Sequence, residues 1–190
     1  MRNYAEELTY WYLRLNGFFL LTDFVLHRRR PEYSGDCDIL AVRPPNVHED
    51  VGGRWNDWDK NMRQFFSPTV TVGVICEVKA GNFTPANLFS QNNVEYAFKR
   101  LGFIPAIDVP PVVEAFQNSK CHDIGTYKII KLLVSNRTVN DDTNFYCLTL
   151  SYIRGFIKKR MKKFPIKDSD WTFFQSSIIQ EIIWEAHRKK

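Results

Sequence analysis

Several familiar signatures are missing from this 190-residue chain. None of its four cysteines, Cys37, Cys76, Cys121 and Cys147, stands in a CxxC pair. That excludes a zinc ribbon or finger, and Cys121-His122-Asp123 has no second ligand pair at the spacing zinc needs. The cysteines read as buried, reduced thiols. No apolar run reaches the length that spans a bilayer, so no membrane partner is expected. Met1-Arg2-Asn3-Tyr4 runs straight into charged residues rather than an apolar leader, and the expected location is cytoplasmic. Internal repeats and low-complexity tracts are absent as well.

What is present has globular proportions. Hydrophobic residues make up 44% and charged residues 25%, which excludes wholesale disorder. Aromatics reach 15%, enough that some rings are expected on working surfaces. The length suits one domain over residues 1–190. We divide it into a core of about 1–150, an insertion at 44–68 and a helical extension at 151–190. The charge is unevenly placed. Residues 151–190 carry 10 Lys/Arg against 4 Asp/Glu, whereas the rest carries 16 against 17. An anionic partner therefore suits the C-terminal end, and the acidic chemistry belongs to the front.

Periodicity places the elements. Leu8, Trp11, Tyr12 and Leu15 recur at helical spacing and predict a helix over 4–16, with Gly17 as its C-cap. Strands are predicted at 18–27, 37–43, 69–79, 126–135 and 145–150. Pro85 in a first turn after Thr84 and Gly102 after the last turn predict a helix over 85–101. Two more helices are expected at 151–163 and 171–188. Residues 44–68 break the pattern and read as a long inserted loop with a short helix around 57–66. The order predicts an α/β fold with a central mixed sheet flanked by helices.

Within that order a few charged residues are conspicuous. Glu77 and Lys79 close the apolar run VGVICEVK, two apart on a strand and so on one face. Asp38 lies in an apolar strand just after the Gly35 turn, where Asp36 reads as turn chemistry. Charges at the end of a buried strand need compensation. For carboxylates, a hard divalent cation that takes oxygen ligands would supply it.

These residues resemble the PD-(D/E)XK nuclease superfamily. The spacing of Glu6, Leu13, Gly17 and Phe18 is similar to the opening helix of its resolvase-like and Mrr-like branches. Gly35-Asp36-Cys37-Asp38-Ile39-Leu40 resembles their G-[DE]-x-D-[IL]-[IL] strand, and Glu77-Val78-Lys79 their E-x-K signature. Gln91 sits near where several branches place a glutamine. The match covers roughly the first hundred residues. Where the family often has a shorter hairpin, this chain carries the 44–68 insertion. The resemblance implies a restriction-endonuclease-like αβββαβ core and metal-dependent phosphodiester hydrolysis. It implies that Asp38 and Glu77 bind Mg²⁺ or Mn²⁺, with the Val78 carbonyl as a third protein ligand. Glu6 would hold a second ion or one of its waters. Lys79 would orient or activate the attacking water and offset charge on the phosphate, and Gln91 would position the nucleophile or a phosphate. Each residue also has a plainer reading. Glu6 is a first-turn acid favoured by the helix dipole, Glu77 and Lys79 are an ion pair, and Gln91 is a solvated helix residue.

A nuclease also needs a basic approach to its acidic centre. Candidates are Arg28, Arg29 and Arg30, the insertion's Arg54, Lys60 and Arg63, and Lys158, Lys159, Lys162 and Lys163 on the basic helix. The plainer readings are loop rings that cap the core and a solvated helix face. The expected function is a metal-dependent nuclease that takes DNA ahead of RNA, working as a homodimer or within a larger complex. Alternatives are a catalytically silent nucleic-acid-binding or assembly module of the same fold, or a ribonuclease or effector acting within a complex.

Overall fold

The computed structural model describes residues 3–26, 35–139, 143–165 and 176–188. Helix α1 (Tyr4–Leu15) starts at a capping box: the Asn3 side chain accepts from the Glu6 amide, and the Glu6 carboxylate accepts from the Asn3 amide. Two amides that a helix start leaves unpaired are thereby satisfied. Leu8, Trp11, Tyr12 and Leu15 are all buried, as their spacing predicts. Gly17 follows with φ +82°, and a Cβ there would meet Val47 Cγ1 at 2.7 Å. A left-handed residue in so tight a place has to be glycine.

Strands β1 (Phe19–Leu26), β2 (Gly35–Arg43) and β3 (Thr71–Lys79) form an antiparallel meander. Strand β5 (Tyr127–Ser135) pairs with β3 in parallel. Its other side is shared by two short strands, β4 (Cys121–Ile124), antiparallel, and β6 (Tyr146–Thr149), parallel. The result is a mixed, open sheet of six strands in the order β1-β2-β3-β5-β4, with β6 beside the second half of β5.

Alternation along the central strands sorts their side chains into two cores. Ile39, Ala41, Val74, Cys76, Val78, Ile130 and Leu132 pack with α1, α5 (Leu150–Lys163) and α6 (Ser177–His187). Leu40, Ile75, Ile129 and Leu133 pack with α3 (Gln91–Leu101) and α4 (Val109–Phe116). Helices therefore flank both faces, and β3 is buried between them from Val72 to Val78.

Four expectations need correction. The helix expected over 85–101 is two pieces: a 3-10 turn at Pro85–Asn87 and α3 from Gln91, capped by Ser90. Phe89, at φ +55°, interrupts the helical path between them. Second, α4 and β4 were not anticipated. Pro110 and Pro111 look like helix breakers, but here they occupy the first turn, where a missing N–H costs nothing. β4 is a short edge strand with too few apolar residues to show an alternation. Third, the insertion is not an open loop. A 3-10 turn at Trp55–Asp57 leads into α2 (Lys60–Arg63), and Trp58, Met62, Phe65 and Phe66 are buried in the α1-side core. Fourth, the last helix begins at Ser177; residues 171–175 of the expected span lie outside the described residues.

One charge is buried in the second core. Lys131 has no exposed surface, yet its ammonium donates to the Phe116 and Gln117 carbonyls at 3.2 and 2.9 Å. These carbonyls end α4, so the lysine caps the negative pole of that helix. Burial lowers its pKa from 10.5 to about 8. Above pH 10.5 the amine is neutral folded or unfolded. As pH falls toward 8, the unfolded chain takes up a proton that the folded chain refuses, and stability is lost. Below about 8 the loss is constant. The urea stability of the protein minus that of Lys131→Met is therefore expected to rise between pH 8 and 10.5. A flat difference across that window would contradict the assignment.

Candidate active site

The β2–β3 register sets Ile39 opposite Cys76 and Leu40 opposite Ile75. One step further along the same ladder, Asp38 comes opposite Glu77. Strand alternation puts Asp38, Glu77 and Lys79 on one face, that of Leu40 and Ile75. The three side chains converge. Lys79 Nζ lies 3.0 Å from Asp38 Oδ2 and 2.7 Å from Glu77 Oε2, so one ammonium bridges two carboxylates. Asp38 Oδ2 also accepts from the Val78 amide at 2.6 Å. The acids are nearly enclosed, with side-chain exposures of 13% for Asp38 and 11% for Glu77, whereas Lys79 keeps 31%. The cluster carries a net charge of −1 and opens toward solvent on the lysine side.

Its electrostatics follow from that arrangement. Burial alone pulls the Lys79 ammonium down, but the Glu77 and Asp38 carboxylates more than offset it and hold its pKa above the ordinary lysine value. The same acids act on the neighbouring thiols. Burial, reinforced by Glu77 and Asp38, pushes the Cys37 thiol well up. Cys76 is raised by burial, then by Asp38, Cys37 and Glu77. Neither cysteine is a thiolate nucleophile at neutral pH.

The remaining sequence candidates are not all gathered here. The Glu6 carboxylate is engaged in the Asn3 capping box. α1 packs on the face of Cys76 and Val78, the opposite face to Glu77 and Lys79. Among the described residues no three His, Cys, Asp or Glu side chains cluster in a way that could hold a metal ion. Glu6 therefore does not join Asp38 and Glu77. Gln91 is the exposed first residue of α3. Arg28, Arg29 and Arg30 lie outside the described residues, as does the side chain of Asp36.

The insertion and the last turns of the basic helix sit at the other end of the sheet. The chain leaves β2 at Arg43 and re-enters β3 at Thr71, far from the ends that carry Asp38, Glu77 and Lys79. Asp38 and Arg43 are five steps apart on β2, about 17 Å. α5 starts after β6, at the acidic end, and runs back about 21 Å to meet the insertion. Four of its six cations are occupied. Arg154 pairs with Glu181 and Glu185, and Lys158 with Glu185. Lys163 pairs with Asp57, and Arg160, 4% exposed, donates to the Asp57 and Gly52 carbonyls. Arg63 is likewise half-buried over Trp55 and donates to Asn56. Arg54, Lys60, Lys159 and Lys162 are exposed.

A cation that sequence reasoning missed stands at the acidic end. Ser135 of β5 is opposite Lys79, and Arg137 follows two residues later. Arg137 donates to the Phe83 carbonyl at 2.8 Å and stacks on the Phe83 ring, while Asn136 donates to the Ala80 carbonyl at 2.7 Å. Together they pin the loop that leaves Lys79. An Asn-Arg pair after a strand reads as an ordinary turn, so nothing in the sequence marks it.

No protein-family model matches this chain, and no similar curated protein or solved structure is found.

The cluster makes its own prediction about stability. Lys79→Met leaves two enclosed carboxylates facing each other, at a cost of about 1–3 kcal/mol. The urea midpoint of Lys79→Met is therefore expected to fall below that of the parent. Lys79→Met combined with Glu77→Gln, which leaves one carboxylate instead of two, should recover most of the deficit. A double variant as weak as Lys79→Met would mean that the lysine contributes packing rather than charge.

Proposed function

We propose that this chain is a metal-dependent nuclease with a restriction-endonuclease-like core, hydrolysing phosphodiester bonds in DNA in preference to RNA. The observation that carries the reading is the convergence of Asp38, Glu77 and Lys79 at one end of the sheet. Support comes from the strand order as well. An antiparallel β1-β2-β3 meander followed by a helical crossover to parallel β5 agrees with the αβββαβ order that the motif resemblance implies.

The donor set suits Mg²⁺ or Mn²⁺. Hard cations of this size are bound through one or two carboxylates and keep several waters, and Asp38 and Glu77 supply two. The Val78 carbonyl is the candidate third ligand. When bound, such an ion supplies Lewis acidity at a phosphoryl oxygen and lowers the pKa of water. The chain's own residues do the rest. Asp38, fixed by the Val78 amide, and Glu77 would hold the ion. Lys79, the most exposed of the three, would orient the attacking water and offset charge on the phosphate. Arg137, at the same end of the sheet, is placed to contact the substrate backbone. Glu6 and Gln91 are given no catalytic part.

A second reading takes the same contact differently. Lys79 already neutralises half of the acidic charge and bridges both carboxylates, so the trio is equally a structural ion cluster on a silent nucleic-acid-binding or assembly module. Two measurements separate the readings. In the enzyme, Mn²⁺ raises the thermal midpoint of the protein and of Lys79→Met, but not of Glu77→Gln. Cleavage of plasmid or single-stranded DNA falls roughly a thousandfold or more in Asp38→Asn and Glu77→Gln. Lys79→Met loses most turnover while keeping its response to Mn²⁺, and Lys79→Arg does not rescue it, because a planar guanidinium does not replace a compact ammonium. A protein indifferent to Mn²⁺ and inert toward DNA and RNA would sink the enzyme and leave the structural cluster.

A further inference from the structure

The two basic segments meet in one place. Between α2 and the last turns of α5 lies a pocket of about 220 Å³, to which Lys60 comes from the insertion and Lys159, Arg160 and Lys163 from α5. Two half-buried rings, Phe156 and Phe164, stand beside the cations; Trp58, 4% exposed, is already covered by Arg43 and Arg160. The opposing charges are Asp57 and Asp59. Asp57 is paired with Lys163. Asp59 accepts from the Tyr12 and Tyr152 hydroxyls at 2.9 and 2.8 Å. Lys60 and Lys159 have no ion-pair partner among the described residues. Arg160 lines the pocket, and its buried Nε has no hydrogen-bond partner.

The two exposed and unpaired ammonium groups, Lys60 and Lys159, make the pocket an anion site. Its rings narrow the anion further. Cations interleaved with aromatic faces are what a single nucleic-acid strand needs, phosphates on the charges and bases on the rings. A duplex keeps its bases inside the stack and offers a pocket of this size only its backbone. We infer that this pocket binds one stretch of a single-stranded nucleic acid, as a holding site separate from the acidic cluster. It lies at the far end of the sheet, about 17 Å away along β2, so it acts on binding and not on the reacting phosphate. The choice of nucleic acid as the polyanion rests on the nuclease reading.

The test measures binding without cleavage. Anisotropy of a short fluorescein-labelled oligothymidylate is followed in excess chelator across a salt series, with the protein, with Lys60→Gln combined with Lys159→Gln, and with both lysines changed to arginine. Both sites are exposed, so the variants should fold. The glutamine pair is expected to bind roughly tenfold more weakly at low salt, with a log-log salt slope flatter by about 0.7 for each lost contact. The arginine pair should keep the parental slope. The inference falls if the glutamine pair binds with unchanged affinity and slope, or if a duplex of the same length outcompetes the single strand. It also falls if vesicles of phosphatidylglycerol in phosphatidylcholine capture the protein while the oligonucleotide does not. Adding Mn²⁺ to the parent separates the two proposals. Binding lost in the glutamine pair without cleavage by the parent removes the nuclease and keeps the holding site. Cleavage by the parent with binding indifferent to Lys60 and Lys159 does the reverse.

Discussion

A strand buried on both faces has room for charge only at its ends, and β3 is such a strand. From Val72 to Val78 its side chains are enclosed, alternating between the α1-side core and the α3-side core. Glu77 and Lys79 stand where that enclosure runs out. β2 returns alongside with Asp38 at the matching step, so the register that pairs Ile39 with Cys76 also brings the acids together. A slip of one residue would turn Asp38 into the α1-side core, away from Lys79. The acidic cluster therefore depends on the same pairing that builds the core. Its charges are tolerable because each has a partner: an ammonium for both carboxylates and an amide for one.

The insertion depends on a second set of buried charges. Trp58 lies between two guanidinium groups, Arg43 at 5.3 Å and Arg160 at 5.1 Å from its ring. Arg43 also donates to the Asn16 carbonyl and covers Phe66, while the Asn16 side chain accepts from the Asp59 amide. Asp59 caps α2 and receives two tyrosine hydroxyls. The end of α1, the end of β2 and the last turns of α5 thus hold residues 52–66 as one packed unit. Arginine suits this use, since its flat face stacks on rings while its edge reaches carbonyls.

The parts of this architecture that were legible are those governed by period. α1, the meander strands, β5 and α5 follow from spacing two or spacing 3.6, and Gly17 and Gly102 close their helices as expected. The pairing of Glu77 with Lys79 was legible for the same reason, and Asp38 because its strand precedes theirs. Other features turn on contacts that spacing does not encode. The position of Glu6 was ambiguous because a capping acid and a metal ligand look alike at the third residue of a helix. The order in the insertion was hidden because Trp58 and Phe66 are buried by distant arginines rather than by a periodic face. The basic run at 158–163 looked like a charged surface. Yet Arg160 faces inward to carbonyls contributed by residues a hundred positions earlier, which no local pattern signals.

The same structure changes what the basic run means. The 10 Lys and Arg of residues 151–190 overstate the field available to a polyanion, since Arg154, Lys158 and Lys163 are paired with acids and Arg160 is enclosed. The exposed Arg54, Lys60, Lys159 and Lys162 belong to the insertion end, and the acids belong to the other. At physiological ionic strength charges are screened over about 8 Å, roughly half the separation along β2. The two ends are therefore electrostatically independent. Lysines placed beside Asp38 and Glu77 would compete with a cation for the carboxylates, as Lys79 already does, and the acids would in turn weaken any attraction for phosphate. Separating them by the length of the sheet lets one end hold an anion and the other a cation without either cancelling the other.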